Sequence, residues 1–172
     1  MIIAEAKTAY NTRAKQWRVT TGDEILIALP PGQHNKQQAQ IYALEFNRPD
    51  LAAMAYKIRR QNSYNADVSK LALNAAYILA DKLLYNDGFV RSQSRPGVFH
   101  QITYNDQPRR YNCTCEAMQF HPIWLTGIGW LCKHGLAAHM AYLMALELPQ
   151  QPIPFNSEPE ITTIAISSTF RI

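Results

Sequence analysis

The sequence predicts a small α+β protein, in which a β-hairpin and a helix form the C-terminal half, preceded by helices and short strands. Three observations lead to this prediction. Apolar residues make up 47% of the 172 residues, enough for a packed core, and charged residues only 17%. Stretches with helical apolar spacing alternate with short β-branched runs. All three cysteines fall within residues 113–132.

The length suits one domain or a small domain with an extension, and composition divides the chain into three parts. Residues 1–66 form an uncharacterised α/β segment, residues 67–148 hold the cysteines with a lead-in helix, and residues 149–172 are a proline-rich tail. No apolar run approaches 18 residues, and the N-terminus lacks a secretory signal. We therefore expect an intracellular protein with no membrane contact, cytoplasmic, or nuclear in a eukaryote.

The first part is predicted to alternate helix and strand. Residues 3–18 have apolar side chains at helical spacing, and residues 25–29 form a short apolar run typical of a strand. Residues 33–40 are polar and glutamine-rich, which predicts a loop. Residues 41–46 fit either a strand or a short helix.

Two further helices follow. Asp50 is expected to cap a helix over residues 51–60, and Asp67 to cap a longer helix over residues 68–85. The Asn-Asp-Gly run at residues 86–88 predicts a stop and a turn.

The remaining elements build the C-terminal half. Residues 89–91 are expected to be extended, and strands over 98–104 and 109–113 to pair as a hairpin. Residues 116–130 read as a loop. Residues 132–146 read as a helix, and its expected buried stripe is Leu136, Met140, Leu143 and Met144. A run of β-branched residues at 161–166 predicts an edge strand.

Two pairs of metal-ligating residues occur in this half. Cys113 and Cys115 stand at the end of the second hairpin strand, and Cys132 and His134 stand at the start of the last helix. Side chains two apart on a strand share a face, so both cysteines of the first pair can reach one ion. Cysteine sulfur and histidine nitrogen are the usual ligands of tetrahedral structural zinc. The spacing therefore predicts a zinc-stabilised hairpin plus helix.

Other interpretations of these residues stay open. The three cysteines and His134 could be ordinary packing residues, and His121 in the gap could replace one ligand. His139 would lie roughly 140° around the helix from His134, which makes shared ligation awkward. Four protein ligands would leave no position for water, and the chain has no phosphate-binding glycine loop or nucleophile elbow. We therefore do not expect an enzyme or a small-molecule substrate.

The pattern Cys-x-Cys, a gap, then Cys-x-His resembles the SWIM-type zinc finger. Tyr111 and Asn112 are similar to the aromatic approach to the first pair in that family, and residues 135–138 to its small, apolar continuation. Residues 96–99 resemble the lead-in turn. The resemblance covers about residues 67–145 and implies one zinc ion held by both pairs.

The family resemblance also implies partners. SWIM modules are regarded as nucleic-acid-binding or protein-interaction elements of transposase-like, chromatin-remodelling and recombination-associated proteins. The resemblance therefore implies that this chain binds nucleic acid without catalysing a reaction, and that the nucleic acid is DNA in preference to RNA. The formal net charge of +4 agrees with such a partner. The candidate phosphate-binding residues, which could form one face around Tyr104 and Tyr111, are Arg91, Arg95, Arg109, Arg110 and Lys133.

Two other functions remain open. The apolar stretch between Trp124 and Trp130 either folds over the core or forms a docking patch for a protein partner. The chain would then be a protein-interaction adaptor. Alternatively, it would be an accessory factor of a transposase or recombination complex. The arginines would in these cases be solvated strand-edge residues.

Overall fold

The computed structural model describes residues 4–106 and 109–150, and for Arg109 it describes only the backbone. Within these residues the chain forms five helices and three small antiparallel sheets. The fold is mixed α+β, which confirms the predicted class. The strand predicted at 161–166 lies outside the described residues.

The first sheet is an antiparallel meander of β1 (Ala6–Asn11), β2 (Gln16–Thr21) and β3 (Glu24–Leu29). The third strand confirms the prediction for residues 25–29. The helix predicted over residues 3–18 is wrong, because this stretch contains β1 and the first half of β2.

Alternating burial and turn chemistry explain why a hairpin forms there. Trp17 and Val19 on β2, and Ile27 and Leu29 on β3, pack against the same small cluster, a spacing of two that is typical of strands and not of a helix. Between the strands, Asn11 Oδ1 accepts a hydrogen bond from the Ala14 N–H at 2.8 Å, and Lys15 takes a φ of 48°. Both features close a turn. The helical spacing of the apolar residues is coincidental.

Three helices follow, namely α1 (Gln33–Asn47), α2 (Pro49–Gln61) and α3 (Asp67–Ala80). The loop predicted at residues 33–40 is wrong, since these residues are the first half of α1. Glutamine, lysine and alanine are good helix formers, and the buried alanines of α1 pack against the first sheet. The ambiguous residues 41–46 are therefore helical.

The predicted starts of α2 and α3 are correct to within two residues, but the caps differ. Asp50 lies in the first turn of α2 and pairs with Arg48 at 2.6 Å, while Arg48 takes the cap position. Asp67 is the first helical residue of α3 and does not cap it. α3 also ends about one turn early, because Lys82 takes a φ of 53° and Leu84 then pairs with a strand residue.

The second sheet contains β4 (Phe89–Arg91), β5 (Phe99–Asp106) and β6 (Arg109–Cys113). It confirms the predicted hairpin and the extended piece before it. Val90, Ile102, Tyr111 and Cys113 are buried on one face. We call the opposite side the outward face.

The stretch predicted as a loop contains secondary structure of its own. It forms α4 (Glu116–Phe120) and a hairpin of β7 (Ile123–Leu125) and β8 (Gly129–Leu131). The final helix, α5 (Lys133–Met144), confirms the prediction. Its buried stripe differs in that Leu143 is exposed, and it consists of Leu136, Ala137, Met140 and Ala141.

Two clusters of buried residues hold these elements. The large cluster joins α2, α3 and α5 to the strands of the second and third sheets, and it is continuous across the boundary predicted at residue 66. The small cluster, between the first sheet and α1, consists of Ala6, Val19, Ala39 and Ala43. The division into three parts stays a prediction. Within the described residues, no helix is both long enough and apolar enough to span a bilayer.

Candidate metal centre

Strand and helix ends bring the two predicted ligand pairs together. Cys113 ends β6, and Cys115 takes the cap position of α4. Cys132 takes the cap position of α5, and His134 follows in its first turn. Thr114 turns away, because its backbone N–H donates to the Gln101 carbonyl while its Oγ1 accepts from the Gln101 N–H. The first pair therefore presents both sulfurs to one side.

The four donor atoms form a compact, buried group. Each residue offers one ligand atom, and these atoms all lie within 4.8 Å of one another. Cys113 Sγ lies 3.7 Å from His134 Nδ1. Zn–S and Zn–N bonds in a tetrahedral site place neighbouring ligand atoms about 3.6–3.8 Å apart. Cys113, Cys115, Cys132 and His134 could therefore hold a metal ion with little movement.

The electrostatics of the sulfurs also favour a cation. Hydrogen bonds from the Cys113 and Cys132 thiols hold the pKa of Cys115 well below its usual range, while the same contact with Cys115 raises the pKa of Cys113. The backbone N–H group of Met118 further favours thiolate at Cys115, whereas the contact with Cys115 and burial raise the pKa of Cys132 above its ordinary value. Three thiols this close ionise together only if a positive charge lies among them.

His134 lacks a conventional hydrogen-bond partner. Its side chain is buried, its Nδ1 faces sulfur, and its Nε2 contacts no donor or acceptor among the described residues. A buried polar atom without a partner costs about 1–3 kcal/mol. The nitrogen that faces the sulfurs is Nδ1, so a metal ion in the cluster would bind Nδ1, and Nε2 would stay without a partner among the described residues. The fit to a metal therefore rests on the donor set and the position of Nδ1.

Two residues beside the cluster have roles that the sequence did not reveal. The His100 ring lies 4.8 Å from the His134 ring, and burial lowers the pKa of His100. At Gly135, an added Cβ would lie 2.9 Å from Leu131 Cδ2 and 3.4 Å from Tyr111 Cβ. The small residue after the second ligand pair therefore allows α5 to approach the strands closely. Neither contact leaves a signal in a single sequence.

The other histidines considered as ligands lie elsewhere. His121 is exposed at the end of α4. His139 is half-buried with its ring at the edge of Tyr111, 5.7 Å away, and burial lowers its pKa. Among the described residues, the metal-competent group contains neither of them.

The predicted cations do not gather on one face around Tyr104 and Tyr111. By strand register, Arg91 and Arg110 belong to the outward face, opposite these tyrosines.

The other cations lie nearer the metal centre or are only partly described. Arg95 pairs with Glu116 at 3.1 Å, and Lys133 donates to Gln93 Oε1 at 2.8 Å. Arg109 lies on β6, and only its backbone is described.

The β7–β8 hairpin both packs on the core and exposes aromatic rings. Leu125 and Leu131 are fully buried, whereas Trp124 and Trp130 are 47% and 54% exposed. The turn between the strands is fastened by Asn62, whose Oδ1 accepts from the Thr126 N–H at 2.8 Å. Asn62 is buried and lies in a stretch that reads as a polar linker, so its role was not predictable.

Comparisons with known proteins give no relative from which the role of this site could be inferred. The chain matches no family model, no curated protein and no solved structure. The candidate metal centre therefore stands on the distances and burial of its own residues.

Proposed function

We propose that the chain is a SWIM-type zinc-binding protein whose metal has a structural role and whose surface binds nucleic acid, DNA in preference to RNA. The observation that carries the metal part is the buried Cys₃His group, with all donor atoms within 4.8 Å. A tetrahedral set of sulfur and nitrogen ligands suits zinc better than magnesium, calcium or manganese, which prefer oxygen.

A closed ligand set favours a structural role. When bound, the ion would supply positive charge that neutralises the thiolates, and it would hold two chain segments together at one point. Cys113 and Cys115 would fix the end of β6, while Cys132 and His134 would fix the start of α5. All four ligands come from the protein, so no position is left for a reacting water. This supports a non-catalytic protein.

Exposed cations support a nucleic-acid partner. Arg91 and Arg110 are exposed on the outward face, and Arg95 has a 59% exposed side chain despite its pairing with Glu116. Exposed arginines make phosphate contacts that add affinity irrespective of base sequence. An accessory role in a transposase or recombination complex is compatible with the same surface.

A second candidate function is a protein-interaction adaptor. Exposed tryptophans are enriched at protein interfaces, and Trp124 and Trp130 are both about half exposed. An adaptor would bind its partner equally well at low and high salt if these rings supply most of the affinity.

Metal analysis tests the first part of the proposal. Purified protein should contain about one zinc per chain, and Cys132→Ser should lower that content sharply, because serine replaces a thiolate ligand. His121→Ala is the matched control and should leave the zinc content unchanged. The proposal would be contradicted if wild-type protein contained no zinc and unfolded at the same temperature with and without added zinc.

Salt-dependent binding tests the second part. Affinity for a DNA oligonucleotide should fall steeply with salt, and Arg91→Ala should weaken binding and lower the salt slope by about one. Arg13→Ala removes the same charge from the exposed β1–β2 turn and should change neither. Absence of binding at low salt would contradict the nucleic-acid assignment.

A further inference from the structure

A groove of about 410 Å³ runs between the β7–β8 hairpin and the outward face of β6. The residues that form its walls are mainly aromatic and apolar with two polar groups, namely Arg110, Asn112, Met118, Trp124, Ile128 and Trp130. We propose that this groove holds an unpaired base of single-stranded nucleic acid. The inference rests on the proposed function and identifies the part of the ligand that this site would bind.

The two tryptophans supply a stacking surface. Trp124 and Trp130 are paired across the hairpin with ring centroids 5.5 Å apart and planes inclined by 68°. In this edge-to-face arrangement the edge of one ring lies against a face of the other, which leaves at least one face of each ring outside this contact, and the two residues are 47% and 54% exposed. Base–aromatic stacking is tolerant of sequence because every base has a π-face.

The polar groups of the groove suit a nucleotide better than a cationic ligand. Arg110 and Asn112 are two apart on β6, so they lie on the same face of the strand. A guanidinium binds phosphate, and a carboxamide offers both a donor and an acceptor to the edge of a base. No acidic residue is among the described residues that line the groove, and Arg110 would repel a lysine or a quaternary ammonium.

Three elements that form walls of the groove, β6, β8 and α4, each begin or end at or beside a candidate metal ligand. β6, which carries Arg110 and Asn112, ends at Cys113. β8, which carries Trp130, leads directly into Cys132.

The third wall and the hairpin turn are fastened in similar ways. Met118 belongs to α4, whose first backbone hydrogen bonds are accepted by Cys115. Asn62 fastens the turn of the hairpin through the Thr126 N–H. Removal of the metal should therefore change the shape of the groove as well as the stability of the chain.

Tryptophan fluorescence and binding measurements test the inference together. The probes are a single-stranded oligothymidylate of about 12 nucleotides and a duplex of the same length. In a Trp17→Phe background, the oligothymidylate should quench the emission of the two remaining tryptophans, and the duplex should quench it less. Trp124→Ala and Trp130→Ala should each weaken single-strand binding by about 5- to 100-fold.

Control variants separate a stacking role from a structural one. Trp124→Phe and Trp130→Phe keep an aromatic face and should retain binding to within about 5-fold. Tyr56→Ala removes an exposed ring from α2 and should not change binding. Zinc content should stay near one per chain in the Phe variants and in Tyr56→Ala.

The binding and quenching measurements distinguish a wrong groove assignment from a wrong nucleic-acid function. If wild-type protein binds neither oligonucleotide, the nucleic-acid function itself is wrong, and the inference falls with it. If wild-type protein binds DNA with no tryptophan quenching, and the alanine variants bind as tightly as wild type, only the groove assignment is overturned. Quenching by an uncharged proline-rich peptide, with none by the oligothymidylate, would also overturn it and would assign the groove to a protein partner.

Discussion

The first sheet with α1 and the region around the metal centre are stabilised by different means. The region around the candidate metal centre, called the metal region below, consists of residues 67–106 and 109–144. It has a core of large side chains, including the fully buried Leu125, Leu131 and Leu136, and it contains the four buried residues that could hold a metal ion. The buried cluster under the first sheet contains three alanines and one valine. One chain thus contains a region with a large core beside a group that could hold a metal ion, and a region whose fully buried residues are few and small, with Trp17, Ile27 and Leu29 partly buried against them.

Side-chain hydrogen bonds supplement the small apolar cluster between the first sheet and α1. The Asn47 side chain accepts from the Ala6 N–H at 2.7 Å and donates to the Ala6 carbonyl at 2.8 Å. Thr8 Oγ1 also donates to the Ala39 carbonyl at 3.2 Å. These polar contacts fasten β1 to α1 in addition to the apolar packing of the small cluster.

Loss of the metal should give the largest effect and should separate the two regions. Chelation or Cys132→Ser should lower the free energy of unfolding by several kcal/mol, because metal binding contributes on the order of 10 kcal/mol in small zinc modules. Hydrogen exchange should accelerate most at β6, α4 and the start of α5, where the ligands lie. Equal acceleration in β1–β3 would show that the chain unfolds as one unit and would end the distinction.

Two glycines with left-handed backbone provide a matched pair, one in each region. At Gly88 (φ 81°), an added Cβ would lie 2.7 Å from the Ile102 carbonyl oxygen, whereas at Gly22 (φ 56°) it would meet nothing within 4 Å. Gly88→Ala should therefore cost about 2–4 kcal/mol, from strain plus a clash with backbone. Gly22→Ala should cost about 1 kcal/mol, from strain alone. Urea denaturation of both variants measures the difference, and equal values would contradict it.

Asn47→Ala tests the polar attachment of the first sheet. The change removes two partly buried hydrogen bonds and should cost about 1–3 kcal/mol. Asn47→Asp keeps the acceptor for the Ala6 N–H but places a carboxylate oxygen against the Ala6 carbonyl oxygen, so we expect it to cost at least as much as Asn47→Ala at neutral pH. Exchange of the β1 amides reports the effect directly. An unchanged exchange rate in Asn47→Ala would mean that the small apolar cluster suffices.

The smallest predicted effect concerns Tyr77, which links the two regions. Its hydroxyl donates to the Gln40 carbonyl of α1 at 2.6 Å, and burial raises the pKa of Tyr77 to about 12 from an ordinary value of 10.0. The contribution of the Tyr77 hydroxyl to the free energy of unfolding is complete below pH 10. It declines from pH 10 to 12, because in this range the hydroxyl is ionised in the unfolded chain but still protonated in the folded chain. Since Tyr77 is only partly buried, we expect a loss of about 1 kcal/mol.

Comparison with Tyr77→Phe isolates this effect. The difference in the free energy of unfolding between wild type and Tyr77→Phe should shrink as the pH rises from 10 to 12. A difference that stays constant over this range would show that the hydroxyl does not titrate differently in the two states.

The predictability of the two regions also differs. Around the candidate metal centre, the four Cys and His residues, the β5–β6 hairpin and α5 each have a strong local signal and were predicted, whereas α4 and the β7–β8 hairpin were read as a loop. In the first region, the apolar residues of 3–18 fit helical spacing although the chain forms strands, and the glutamine-rich start of α1 has no apolar stripe. Contacts between sheet and helix decide these elements, and a single sequence does not display them.

The sequence by itself determined the α+β class and the residues of the metal group, because ligand chemistry depends on residue type and spacing. Only the tertiary structure decided how the surface is arranged. It divides the predicted cations between separate surfaces and turns an apparent loop into a hairpin that exposes two tryptophans beside Arg110. The physical reason is that strand register and distant anchors such as Asn62 set the direction of side chains, and both depend on residues far apart in the chain.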